Sequence, residues 1–289
     1  MKVLVTGVKG QLGGDVVACL EAQNVPCWGV DIDDFDLTDE KAVRQAVLGY
    51  APDVIVHCAA YTAVDKAEDE GREVCRKVNV EGTRNMAQCA KELDAKFMYF
   101  STDYVFPGTG TTPYVEEDAT GPSNFYGLTK LEGEQAVKEL LTKYFTLRIS
   151  WVFADHGHNF IRTMLRLSET HDTLTVVNDQ IGSPTYCPDV AQLVCEMIRT
   201  EQYGTYHVTN EGLCSWYDFA VEIFRQAGKK VTVKPVTSEE YGASKAVRPK
   251  NSRMSKDKLE QAGFHRLPAW QDALTRFLKN VGEYHPVEQ

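Results

Sequence analysis

The chain has no block of Lys and Arg, no paired-cysteine motif and no long apolar stretch, and each absence removes a class of function. Its 31 Lys and Arg are outnumbered by 41 Asp and Glu, for a net charge of -10. With no basic patch to meet a phosphate backbone, no nucleic-acid partner is expected. The eight cysteines, at 19, 27, 58, 75, 89, 187, 195 and 214, form no C-x-x-C. Most stand among apolar neighbours, where cysteine behaves as a small hydrophobe, so neither a disulfide framework nor a metal site is expected. No apolar run approaches the ~20 residues that cross a bilayer. The opening MKVLVTG runs straight into glycines, leaving no room for the apolar core of a signal peptide. The expectation is a reduced, cytoplasmic protein without a membrane partner.

What is present is an ordinary soluble composition, 43% hydrophobic and 25% charged over 289 residues, enough for one large domain or two modest ones. The first half alternates short apolar runs with helical patterns. Strands are expected at 2–6, 25–31, 52–60, 95–102 and 144–150. Helices are expected at 10–23, at 38–50 with Thr38 as N-cap, along 68–93, and through SNFYGLTKLEGEQA at 123–136. Near-continuous apolar strands alternating with helices predict an α/β fold, a Rossmann-type doubly wound parallel sheet. Beyond residue 150 turn clusters separate shorter helices at 159–168, 188–200, 215–227 and 268–280. The division expected is a dinucleotide-binding domain over 1–150 and a smaller α/β substrate lobe over 151–289, some of whose segments return to the first domain. GTGTTP at 108–113 reads as a mobile loop, and Glu116-Glu117 as a solvated face.

TGVKGQLG at 6–13 places Gly7, Gly10 and Gly13 between the first strand and the first helix. Glycines there let the turn close and bring backbone amides to a pyrophosphate at the helix's positive end. Asp31 ends the second strand, where a carboxylate reads the adenosine ribose; an ordinary turn aspartate is the alternative. Its charge disfavours a 2′-phosphate, while no basic neighbour is expected to favour one. Tyr126 and Lys130, four apart, share one helix face. They are either a plain surface pair or an acid–base couple in which the cation draws the phenol's pKa down.

The glycine string, HCAAYT (57–62), NVEGT (79–83), STDYVF (101–106) and YGLTK (126–130) occur in the order and spacing of the extended short-chain dehydrogenase/reductases. AAYTAVDKAE (59–68), LRISWVF (147–153), DQIGSPT (179–185), SWYDFA (215–220) and RPKNSRM (248–254) narrow the resemblance to the dTDP-4-dehydrorhamnose reductases. The resemblance implies NADPH or NADH as cofactor, a nucleotide-sugar substrate, and a monomer or homodimer. It implies Tyr126 as proton donor, Lys130 as its partner and ribose ligand, and Thr102 as a hydroxyl on the substrate's reacting oxygen. Asp103 and Trp151 fall at sugar-pocket positions. Gly10, Gln11 and Leu12 fall at the pyrophosphate loop, Asp31, Asp36 and Leu37 at the adenosine end, and Ala60, Tyr61 and Thr62 along the cofactor. Some members of that family bridge a dimer with magnesium through acids near Asp15 and Pro188; proline is no ligand, though Asp189 follows it, and no metal is expected.

Asn159, Arg248 and Asn251 are further candidates, for a nucleotide diphosphate, with loop structure as their alternative. His57, inside a strand, reads as a core histidine. Two rival functions share the pattern. A nucleotide-sugar dehydratase or epimerase has the same fold, but a dehydratase shows an Asp-Glu pair after the threonine, where this chain has Asp103-Tyr104. A non-catalytic cofactor-binding subunit, like that of methionine adenosyltransferase, keeps glycines and Y-x-x-x-K without turnover.

Overall fold

A computed structural model describes residues 1–242 and 244–285. The last four positions of the expected second lobe, 286–289, lie outside the described residues. The first half builds β1 (Val3–Thr6), α1 (Gln11–Ala22), β2 (Cys27–Val30), α2 (Glu40–Tyr50), β3 (Val54–His57), α3 (Arg72–Arg76), α4 (Thr83–Glu92), β4 (Lys96–Thr102), α5 (Phe125–Leu140) and β5 (Tyr144–Ile149). All strands of the main sheet are parallel. Their order is Gly204–His207, β5, β4, β3, β1, β2. The expected doubly wound α/β sheet is therefore present. Its sixth strand comes from beyond residue 200, and the helix Cys187–Met197, also beyond residue 150, packs against α1.

Both sheet faces are covered, which is why these strands are apolar on both sides. On one face Val3, Val5, Val56 and Met98 pack with Val16 and Leu20 of α1 and Val190 and Val194. On the other Leu4, Ile55, Phe97 and Tyr99 pack with Val43, Val47, Met86 and Val137 of α2, α4 and α5. A separate core, with Phe153, Ile161, Phe219, Trp270 and Phe277, holds the second lobe.

Three local expectations are corrected. The cap of α2 is Asp39, whose carboxylate accepts from Lys41 N and Ala42 N at 3.0 and 3.1 Å. Thr38 instead bonds Asp36. The helix expected over 68–93 begins at Arg72 and carries a π-helical turn at Lys77–Gly82 between α3 and α4. Glu116 is buried, accepting from His207 N at 2.9 Å while its carbonyl accepts from Arg148; only Glu117 is solvated.

Candidate active site

The C-terminal ends of the parallel strands open into one cleft of about 1100 Å³ that also touches the second lobe. In open parallel sheets this edge is where ligands bind. Thr6 leaves β1 into the glycine loop. Gly7 has φ +71°, and a Cβ on Gly13 would stand 2.3 Å from the Gly7 carbonyl oxygen, so helix and loop approach as only glycine permits. Gly10 caps α1 without any side-chain hydrogen bond. The first amides of that helix are thus left for an anionic group at its positive end. Gln11 and Leu12 line the same wall, but Gln11 Oε1 accepts from Ala154 N and Asn159 Nδ2, both at 3.0 Å. Its side chain ties the loop to the second lobe, leaving its backbone to the phosphates.

Beyond the loop lie Asp31, Asp36 and Leu37, with Ala60, Tyr61 and Thr62 along the far wall. Asp31 accepts from Lys9 N at 2.9 Å, and the Lys9 ammonium pairs with Asp33. The expectation that no basic residue stands by Asp31 is therefore corrected. Asn79, in the π-helical turn, clasps the Tyr61 peptide: it accepts from Tyr61 N at 2.8 Å and donates to Tyr61 O at 3.2 Å. These features suit a dinucleotide: free amides at a helix start, a carboxylate past the second strand and a pinned backbone edge.

At the centre are Thr102, Asp103, Tyr126 and Lys130. Tyr126 enters on α5, capped by Asn124, whose side chain accepts from Gly127 N at 2.8 Å. A Cβ on Gly127 would stand 2.3 Å from the Tyr104 carbonyl, so glycine lets the helix start close against the end of β4. The Tyr126 and Tyr104 rings meet edge to face at 5.9 Å. Thr102 Oγ1 donates to Asp103 Oδ1 at 3.0 Å, and Ser252 Oγ donates to Asp103 Oδ2 at 2.5 Å. Burial pushes the Asp103 carboxyl up to about 6 against those two hydrogen bonds.

Burial also pushes the Lys130 ammonium down to about 7, with Glu134 opposing. Its Nζ lies 4.2 Å from the centre of the Tyr99 ring. The Tyr126 phenol is raised, by burial first and then by Asp103 and Tyr104, against a hydrogen bond with Thr102. The expectation that Lys130 draws this phenol down is corrected: the protein's own groups hold it protonated.

Trp151 and Arg248 complete the lining. Arg248 donates to Tyr104 OH at 3.2 Å and to Asp65 Oδ2 at 2.9 Å. Two expected ligands do not reach the cleft. Asn159 caps the helix Phe160–Leu167 and donates to Ala154 O. Asn251 donates to Thr109 O and Thr112 O at 3.1 and 2.9 Å, tying down the loop expected to be mobile, and accepts from Arg253. Both amides are consumed by loop structure. His57 is the satisfied core histidine expected, bonded to Thr6 and Thr83. Asp189 is gripped by Arg276 at 2.7 and 2.8 Å and accepts from Asn210.

Further lining residues not singled out by sequence include Lys9, Phe35, Tyr104 and Trp216. Lys9, Tyr104 and Trp216 lie within quoted motifs and Phe35 directly precedes Asp36, so proximity to those strings and residues was the available signal.

Known proteins match this arrangement over nearly its whole length. The spore coat polysaccharide biosynthesis protein SpsK of Bacillus subtilis is 40% identical, covering 96% of this chain and 97% of that protein. The dTDP-4-dehydrorhamnose reductase of Escherichia coli is 37% identical, covering 97% and 98%. The crystal structure of a Bacillus anthracis dTDP-4-dehydrorhamnose reductase in complex with NADP is 42% identical, covers 96% and 98%, and superposes with a TM-score of 0.93. The family profile of the RmlD substrate binding domain matches residues 1–283, and the chain belongs to that family.

Proposed function

We propose that this chain reduces the C4 ketone of dTDP-4-dehydro-L-rhamnose to dTDP-L-rhamnose with NADPH or NADH, serving the synthesis of surface polysaccharide. The observation that carries the reading is the meeting of Thr102, Tyr126 and Lys130 in the cleft that holds the glycine loop. Bound along that loop, the reduced nicotinamide supplies the hydride. Everything else falls to the chain. Tyr126 brings the proton for the emerging alkoxide, and its raised phenol pKa keeps that proton in place until charge develops. Thr102 turns its hydroxyl from Asp103 to the same oxygen, a hydrogen bond that strengthens as the oxygen becomes anionic. Lys130 would hold the nicotinamide ribose, and its ammonium stabilises the phenolate that Tyr126 becomes on giving up its proton. Arg248, steadied by Asp65 and Tyr104, provides a guanidinium fork for the diphosphate. Trp151 faces the deoxysugar.

Asp31 favours a free ribose hydroxyl, whereas the Lys9 ammonium, paired with Asp33 and within the field of Asp31, suits a 2′-phosphate, which supports use of both cofactors. No helix among the described residues is long and apolar enough to cross a membrane. A cytoplasmic monomer or homodimer is part of the proposal, supported by eight free cysteines and a nucleotide-sugar substrate.

The test is incubation of the purified protein with the dTDP-ketosugar and each reduced cofactor, following cofactor oxidation and identifying the sugar. Oxidation with a rhamnosyl product is expected. Tight cofactor binding without turnover would favour the binding-subunit reading. An epimerised or dehydrated sugar would favour the other activities of the fold, and against dehydration stands Tyr104 in place of a second acid.

A further inference from the structure

Trp151 lies where the chain leaves β5 for the second lobe, with φ +50°. A bulky side chain holds that left-handed conformation only where its surroundings over-determine it. Here they do. Thr185 N donates to Trp151 O at 3.1 Å, and Ser150 Oγ donates to Ser183 O at 2.9 Å. The next two residues, Val152 and Phe153, pair in parallel with Thr185 and Tyr186.

The indole itself is clamped. It stacks on Trp216 with ring centres 3.9 Å apart and planes at 18°. Trp216 is in turn packed by Phe160 at 4.7 Å and opens a helix capped reciprocally by Ser215 and Asp218. A Cβ on Gly182 would stand 3.0 Å from Ser252 Cβ and 3.1 Å from Cε2 and Cζ2 of the Trp151 ring, so the glycine leaves both side chains their room. Gly182 pairs with Cys214, and Ile181 with Ser215, so one short ladder carries both Gly182 and the start of the Trp216 helix. Segments 147–153, 179–185 and 215–220, far apart in sequence, converge on one ring.

We propose that Trp216 and Gly182 are positioning residues that fix the plane of the Trp151 indole and so set the fit of a deoxysugar's apolar C–H face against it. The proposal rests on Trp151 being the sugar-facing residue. An indole already held in place is not immobilised at the expense of binding, whereas a free one is. Loss of the clamp therefore falls on sugar affinity, because the glycine loop and the Tyr126 proton lie on other elements.

The test compares Trp216→Leu and Gly182→Ala with Trp151→Ala, each in the full chain with the dTDP-ketosugar and NADPH. In Trp216→Leu the ketosugar KM should rise about 2- to 12-fold, the worth of an aromatic stack converted to affinity. Its kcat and NADPH Kd should stay unchanged, and the exciton couplet of the stacked indoles should vanish from circular dichroism. Gly182→Ala keeps both tryptophans and should raise KM while altering the couplet; it decides the matter if Trp216→Leu does not fold. If Trp151→Ala raises KM while both other variants keep the wild-type value, the clamp is overturned and the sugar-facing reading stands. If Trp151→Ala also leaves KM unchanged, the underlying reading fails with it. A fall of NADPH affinity and Tm alongside the KM change would make Trp216 merely structural and overturn the proposal.

Discussion

Burial acts on Tyr126 and Lys130 in opposite senses, raising the phenol and lowering the ammonium to about 7. Both shifts favour the neutral form, as a low-dielectric setting demands. A proton donor starts neutral, so this setting suits reduction. Tyr126→Phe keeps ring and helix but deletes the donor, and losing a positioned acid costs ~10² to 10⁴ in rate. Its kcat should fall by that factor while NADH binding, read by fluorescence titration, barely moves. Lys130→Met should damage both; near-normal turnover by Tyr126→Phe would sink the mechanism. A second prediction concerns Asp31, which accepts from the Lys9 backbone amide at the adenosine end, and the Lys9 ammonium, which pairs with Asp33 and is also attracted by Asp31. Asp31→Ala should raise the NADPH/NADH ratio of kcat/KM, and Lys9→Ala should lower it. If neither ratio moves, other residues read the ribose.

Between α3 and α4 the π-helical turn at Lys77–Gly82 brings Asn79 inward, 1% exposed, to meet the Tyr61 peptide and Thr129 of α5. One amide thereby ties the cofactor-side loop to the helix carrying Tyr126. Asn79→Ala leaves the Tyr61 N–H and carbonyl without these partners, at a cost of ~1–3 kcal/mol. Both Tm and NAD(P)H affinity should drop; a lower Tm with unchanged Kd would show that the turn does not position the cofactor. NVEGT marked this place, but helical periodicity reports only which face is apolar. It does not register an extra residue in a turn, nor that Asn79 faces inward. The cap of α2 was misplaced by one residue for a similar reason, since Thr38 and Asp39 are both good caps and only Asp36 nearby draws Thr38 away.

Across the whole molecule, two buried histidines make the fold sensitive to acid. Burial pushes His57, aided by the Lys130 charge, and His207, aided by Arg148, from 6.5 down to about 3. Between those values the unfolded chain binds protons that the folded one refuses, so stability rises with pH there. The contribution is complete above 6.5 and lost as pH falls toward about 3. Asp103 and Asp15, each raised by burial to about 6, work in the opposite direction between 3.8 and about 6, and Glu116, also raised by burial, acts in the same sense. Each imidazole is displaced over a wider interval, from 6.5 to about 3, than either aspartate, from 3.8 to about 6, so the urea midpoint should fall on acidification from about pH 7 to about 4.5. A constant midpoint would mean that the imidazoles take up protons without unfolding.

The sheet was legible because its strands are buried on both faces and so read as unbroken apolar runs. The glycine loop was legible because close backbone approach demands a residue without a side chain. Tyr126 and Lys130 were legible because helical spacing is local. What the sequence left open depended on competition for hydrogen bonds. Asn159, Asn251 and Arg248 carry similar polar groups, yet two are consumed by neighbouring backbone and only the guanidinium reaches the cleft. The same holds for the sixth strand Gly204–His207, whose place beside β5 is set by pairing across some sixty residues of chain. It holds as well for the Trp151 stack, built from three distant segments. Periodicity and turn chemistry are properties of neighbouring residues, whereas the partner that wins a buried amide or ring is chosen only when distant segments pack.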